Sequence, residues 1–292
     1  MNAEVVARGI RFPEGPVWCP APAGAPGTLV CTSVADGALV RIHVDTGRVE
    51  PVATVGGGAN AAALARDGGF LVTQNGGIDF ASTNLFPVDP PEYLPITPGI
   101  QRVSPAGAVT YVADRGFRAP NDLVVASDGT VWFTDPPPFP PPDEPVGRVH
   151  TMRPDGDTRV VASGFGYCNG IALEPDGTAI VVEGQGLVRL DADGGWEWIV
   201  EQLSGGAGDG FCVDVDGRLY VANTAAHGVR IVDPDGSEVE FLAIEGAGVT
   251  TNCCFGGADG RTLFATDGLP GQVVAWEGMP TAGLPLHPWP GP

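Results

Sequence analysis

Short apolar runs punctuated by Asp-Gly turns dominate the chain, and one unit of this kind recurs. An Asn, Asp or Glu opens it, an apolar run follows, a tight turn intervenes, and a second apolar run closes it. The unit reads EGPVWCPAPAGAPGTLVCTSV from Glu14, NAAALARDGGFLVTQN from Asn60 and NDLVVASDGTVWFTDP from Asn121. It returns as NGIALEPDGTAIVVEG from Asn169, DGFCVDVDGRLYVANT from Asp209 and NCCFGGADGRTLFATD from Asn252. Successive heads lie 46, 61, 48, 40 and 43 residues apart. The turns at Asp67-Gly68, Asp128-Gly129, Asp176-Gly177, Asp216-Gly217 and Asp259-Gly260 predict β-hairpins. Further runs such as Gly228–Val232 and Gly271–Trp276 extend the units.

A period of about 40 to 50 residues with about four strands each predicts propeller blades. The expected fold is therefore all-β, a six-bladed β-propeller with a central metal site, residues 1–292 forming one domain. No amphipathic helix of the length a Rossmann-type fold needs is visible, and a β-sandwich would not repeat one hairpin six times. Residues Glu4–Ala7 are expected to close the ring as the outer strand beside Gln272–Trp276, which removes a free sheet edge. Two stretches break the period. Residues 77–100 carry five prolines, and residues 136–145 carry seven, in PPPFPPPDEP. Both read as surface loops, either stiff tolerated insertions or a lid over a central pocket.

Composition changes this picture in two ways. Glycine (44) and proline (29) make up a quarter of the 292 residues, which raises disorder, but 43% hydrophobic residues provide ample material for a core. The net charge is −20, and all 15 basic residues are arginine. Nucleic acid is excluded as a partner, because phosphate neutralisation needs clustered basic residues. The N-terminus shows no secretory pattern and no window has the apolar length of a membrane span, so a cytoplasmic protein with no membrane partner is expected. Six cysteines lack zinc-site spacing and read as free buried thiols, with Cys19–Cys31 the one pair that a hairpin could bridge. Cys168 and Cys212 lie near unit heads, but no neighbouring histidine is there to generate a thiolate.

In a propeller, the innermost strands surround the axis, so the heads Glu14, Asn60, Asn121, Asn169, Asp209 and Asn252 converge. A lone Asn commonly caps a turn. Six polar heads in register instead present an oxygen-lined ring that suits a hard divalent ion, and the Glu and Asp match its charge.

The strings FPEGPVW at Phe12–Trp18, PNDLVV…VWFTDP at Pro120–Pro136, NGIAL at Asn169–Leu173, DGFCVD at Asp209–Asp214 and TNCCFGG at Thr251–Gly257 stand in order. Together they resemble the gluconolactonase / regucalcin (senescence marker protein) / luciferin-regenerating-enzyme family over nearly the whole chain. The resemblance implies a six-bladed propeller with one divalent metal on the axis and, usually, lactone hydrolysis. Residue by residue, it puts Glu14, Asn169 and Asp209 on metal-ligand positions. Asn121 falls on a position that contacts the metal or its bound water and substrate. Ca²⁺ is the expected ion, with Mg²⁺, Mn²⁺ and Zn²⁺ as alternatives.

The expected activity is divalent-metal-dependent hydrolysis of a cyclic ester, with a small molecule as substrate and the oligomeric state open. The metal would polarise the carbonyl. Asp209 would act as ligand and base, and Asn121 would orient the carbonyl or the water. Asp122 is a second candidate base, or else a hairpin cap. Asn60, Asn75, Asp122 and Trp18 are assigned to the substrate. Ala119 stands where many family members carry an Arg that binds sugar, which favours a less hydroxylated substrate. Gln74–Gly77 stands where many have a histidine, so no imidazole base is expected. His43, His150, His227 and His287 read as surface or structural. Two other readings stay open: the same metal site working a different reaction on a less polar non-sugar metabolite, and a non-catalytic, metal-stabilised binding propeller.

Overall fold

The computed structural model describes residues 1–21 and 25–291. Among these residues, the strands form six four-stranded antiparallel sheets arranged as propeller blades. The closing strand β1 (Glu4–Arg8) comes first in the chain. The first blade is β2 (Pro13–Cys19), β3 (Thr28–Ser33), β4 (Ala38–His43) and β5 (Arg48–Thr54). The second is β6 (Ala59–Leu64), β7 (Phe70–Gln74), β8 (Gly99–Val103) and β9 (Val109–Ala113). The third is β10 (Leu123–Val125), β11 (Val131–Asp135), β12 (Gly147–Met152) and β13 (Thr158–Phe165). The fourth is β14 (Cys168–Leu173), β15 (Ala179–Glu183), β16 (Gly186–Leu190) and β17 (Trp196–Val200). The fifth is β18 (Gly208–Val213), β19 (Leu219–Asn223), β20 (Gly228–Val232) and β21 (Glu238–Ala243). The sixth has β22 (Thr250–Gly256), β23 (Thr262–Asp267) and β24 (Gln272–Trp276), completed by β1. In that closure Glu4 faces Ala275 and Arg8 faces Gln272, as expected from the sequence.

Turn chemistry places the hairpins. Gly68, Gly129, Gly177, Gly217 and Gly260 all adopt positive φ, between +70° and +90°, which a side chain would strain. In four of these turns the aspartate accepts the N–H two residues on, as Asp128 does from Thr130 at 2.8 Å. In the fifth blade, Asp214 does this work for Asp216 and Arg218.

The core is a set of slabs between neighbouring blades. Val229, Ile231 and Leu242 of the fifth blade meet Leu263, Val274 and Trp276 of the sixth. Leu29 and Ile42 of the first meet Phe264 and Val273 of the sixth. Four similar clusters fill the remaining gaps between blades. Second strands are accordingly buried on both faces, as in β7 and β19, whereas the outer β5 and β17 contain no fully buried residue. A seventh cluster pins the first insertion: Phe80, in a one-turn 3₁₀ helix at Phe80–Ser82, is 1% exposed against Val34, Ala35, Phe12 and Phe86. No helix among the described residues is long and apolar enough to cross a membrane.

Candidate metal centre and active-site cleft

A β-bulge aims five of the six head residues. The pairing of first and second strands slips between Glu14 and Val17, Ala59 and Ala62, Cys168 and Ile171, Gly208 and Phe211, and Thr250 and Asn252. Glu14, Asn60, Asn169, Asp209 and Asn252 sit in or at the edge of these slips, and Asn121 lies just before β10. Bulges re-aim side chains in this way. The glycines that follow some heads let the blades converge. A Cβ on Gly15 would lie 2.2 Å from the Ala61 Cα, and one on Gly210 would lie 1.9 Å from the Asn252 side chain.

The heads are joined by hydrogen bonds in separate sets. Asn60 Nδ2 donates to Asn121 Oδ1 at 3.1 Å, and Asn75 Nδ2 to Asn60 Oδ1 at 3.4 Å. Asn252 Nδ2 donates to Glu14 Oε2 at 3.2 Å and to both Asp122 oxygens at 3.0 Å. Burial raises the Glu14 pKa well above the usual carboxylate range, and the charges of Asp209 and Asp122 push it the same way. Burial lifts Asp122 to about 7, against the pull of the Asn252 amide. Asp209 is also raised, by burial and then by Asp122, while Asn169 and the Gly210 N–H work in the other direction. Three carboxylates thus crowd one another without a cationic side chain to offset them.

One acceptor in this group has no partner: Asn169 Oδ1 is buried and takes no hydrogen bond. Such an atom is costly unless something else satisfies it. Among the described residues, no three His, Cys, Asp or Glu side chains by themselves form a group that could hold a metal ion. A cation here would therefore need amide oxygens as well as carboxylates, and Asn169 offers one. This donor set of hard oxygens fits Ca²⁺ or Mg²⁺ better than a thiophilic metal.

Threonines near the ends of the second strands hold the heads across blade boundaries. Thr32 Oγ1 donates to the Asn60 carbonyl at 2.8 Å, Thr73 Oγ1 to that of Asn121, and Thr134 Oγ1 to that of Asn169 at 2.6 Å. Val182 and Ala222 take the equivalent places in the fourth and fifth blades. The next residue along the strand anchors the incoming loop. Asp135 accepts the N–H groups of Arg118 and Ala119 at 2.8 and 2.9 Å, and Glu183 accepts those of Gly166 and Tyr167 at 2.6 and 3.3 Å. Burial disfavours the Asp135 charge, but His150, those two N–H groups and Arg148 hold its pKa below the usual range.

A cleft of about 180 Å³ opens beside Asn121 and Asn75. Residues of both insertions reach it, among them Ile78 and Tyr93 from the first and Phe139 from the second.

The SMP-30/Gluconolactonase/LRE-like region model matches residues 12–268. The chain belongs to this family. A gluconolactonase from Zymomonas mobilis subsp. mobilis is 27% identical over 294 residues, covering 89% of this chain and 77% of that protein. Among solved structures, a gluconolactonase from Xanthomonas campestris superposes with a TM-score of 0.74 at 22% identity, over 94% of this chain and 89% of that one. The calcium-binding protein regucalcin from Agrobacterium tumefaciens gives 0.76 at 20% identity, over 98% and 96%. These two structural likenesses support the fold.

Within this SMP-30/gluconolactonase/LRE-like propeller, the sequence-derived residues do not all gather. Glu14, Asn60, Asn75, Asn121, Asp122, Asn169 and Asp209 come together. Asp122 is no remote hairpin cap: it is 5% exposed and faces Asn252. Trp18 does not join them. It lies at the far end of β2, stacked on Phe264 with ring centroids 5.5 Å apart, and serves the slab between the first and sixth blades. The six cysteines are free, as expected, and Cys19 faces Thr28 across its hairpin. Burial raises the thiol pKa of Cys168 and Cys212, so neither is a ready nucleophile. His150 and His227 are structural, paired with Asp135 and Asp267. Asn252 was legible as a head, yet its bridge between Glu14 and Asp122 was not. Tyr167, which also lines the cleft, gave no repeat-level signal.

Proposed function

We propose that this protein is a divalent-cation-dependent hydrolase of a small cyclic ester, with Glu14, Asn169 and Asp209 as the cation's ligands and Asn121 completing the set from the cleft side. The observation that carries this reading is the orphaned Asn169 Oδ1 beside carboxylates whose mutual repulsion is otherwise uncompensated. The family's gluconolactonase and the calcium-binding regucalcin support the reaction and the ion. When bound, such a cation acts as a Lewis acid on the ester carbonyl and offsets the carboxylate charge.

The chain's own residues supply the rest. Asn121 lines the cleft and, held by the Asn60 amide, orients the carbonyl for attack. Asp209, held by the Asn169 side chain and the Gly210 N–H, takes a proton from the attacking water. The water oxygen bonds to the carbonyl carbon, the ring C–O bond breaks, and the ring oxygen leaves as an alcohol after gaining a proton from Asp209. The product is a hydroxy acid, whose carboxylate is repelled by the remaining acidic groups and released. Asn252 holds Asp122 and Glu14 in place throughout.

A pH-indicator assay over sugar, aliphatic and aromatic lactones tests this with Glu14→Gln and Asp209→Asn. Both variants should lose cation binding and at least about 100-fold in turnover. Full turnover by either variant would contradict the assignment.

A further inference from the structure

The cleft of the proposed hydrolase has aromatic walls, and these decide what kind of ester it takes. Phe139 is 64% exposed and Tyr93 48% exposed, both at the cleft. Apolar surface left in water at the mouth of a cleft marks a surface that a ligand covers. Phe139 meets Tyr167 edge to face, with centroids 6.3 Å apart and planes at 81°, so the pair forms a corner and does not close on itself. Prolines on both sides of Phe139 restrict its loop, which lowers the entropy lost on binding.

Several polar side chains of the same cleft are already engaged. Ser82 donates to the Asp79 carbonyl at 2.7 Å and Thr83 to that of Phe80 at 2.9 Å. Asn75 accepts the Gly77 N–H at 3.0 Å and donates to Asn60. Arg118, next to the cleft residue Ala119, turns its guanidinium to the Val146 carbonyl at 2.9 Å. The buried carboxylates behind the cleft disfavour an anion.

We infer that the cleft selects a neutral lactone carrying an aromatic ring, the ring lying in the Phe139–Tyr167 corner while the ester group meets Asn121. This rests on the hydrolase reading and adds its substrate class.

The test compares dihydrocoumarin, δ-valerolactone and D-glucono-δ-lactone as substrates, and coumarin as a ligand followed by calorimetry. Wild-type protein should show a KM for dihydrocoumarin at least about tenfold below that for D-glucono-δ-lactone. Phe139→Ala should weaken coumarin binding about tenfold, and should raise KM for dihydrocoumarin about tenfold more than for δ-valerolactone. Because Phe139 is exposed, its truncation should leave the fold intact, which circular dichroism checks. Lactone hydrolysis with coumarin affinity unchanged in Phe139→Ala would overturn the aromatic selection and leave the hydrolase reading standing. Phe139-dependent coumarin binding with no lactone hydrolysed would support the selection and overturn the hydrolase reading alone.

Discussion

Thr134 donates its hydroxyl to the backbone carbonyl of Asn169 at 2.6 Å and accepts the Asp122 N–H at 3.1 Å. One side chain of the third blade thus fixes the head of the fourth and the acidic residue beside the third head. Thr134→Val keeps the shape and removes both bonds, and Val182 shows that the equivalent strand position takes a valine. The expected cost is about 1–2 kcal/mol of stability. Calcium affinity, measured by calorimetric titration, should fall about tenfold, and Thr134→Ser should restore it.

The three buried carboxylates make the stability of metal-free protein depend on pH in a defined direction. Glu14, Asp122 and Asp209 all have folded pKa values raised above their unfolded ones. The folded state therefore binds more protons than the unfolded state, so unfolding free energy falls as pH rises. Asp122 contributes stability that is fully present below its ordinary value of 3.8 and is lost as pH rises through about 7. Thermal melts of chelated protein should show Tm declining from pH 4 to pH 8. Asp122→Asn should flatten this decline, and calcium should raise Tm most at the upper end.

Trp18 belongs to the interblade packing, and its variants should report that. Trp18→Ala removes the stack on Phe264 and is expected to cost about 2–4 kcal/mol in urea denaturation. At temperatures where the variant stays folded, its KM for lactones should match that of the wild type. A large KM change in folded Trp18→Ala would return this residue to the substrate site.

Trp18 also shows what a linear motif conceals. It stands four residues after Glu14 in one string, FPEGPVW, but a strand advances about 3.3 Å per residue and carries it away from the axis. The heads themselves were readable because each precedes an apolar run and a turn whose chemistry is local. Ring closure by Glu4–Ala7 was readable too, since the sixth unit is one strand short of a blade. The bulges that aim the heads were hidden, because they are properties of pairing register. So was the Asn252–Asp122 contact, which joins positions 130 residues apart. The threonine ladder did leave a trace, the Thr before the last residue of β3, β7, β11 and β23, whose meaning needs the neighbouring blade.

The most direct test removes bound metal from the wild-type protein with chelator, then titrates Ca²⁺ while following both heat of binding and lactone hydrolysis. The stripped protein should be inactive, with activity returning in proportion to bound ion and saturating at about one per chain. Asn169→Ala should lose both signals together. Full hydrolysis by the stripped protein, or an Asn169→Ala variant that binds no ion yet keeps wild-type turnover, would contradict the account.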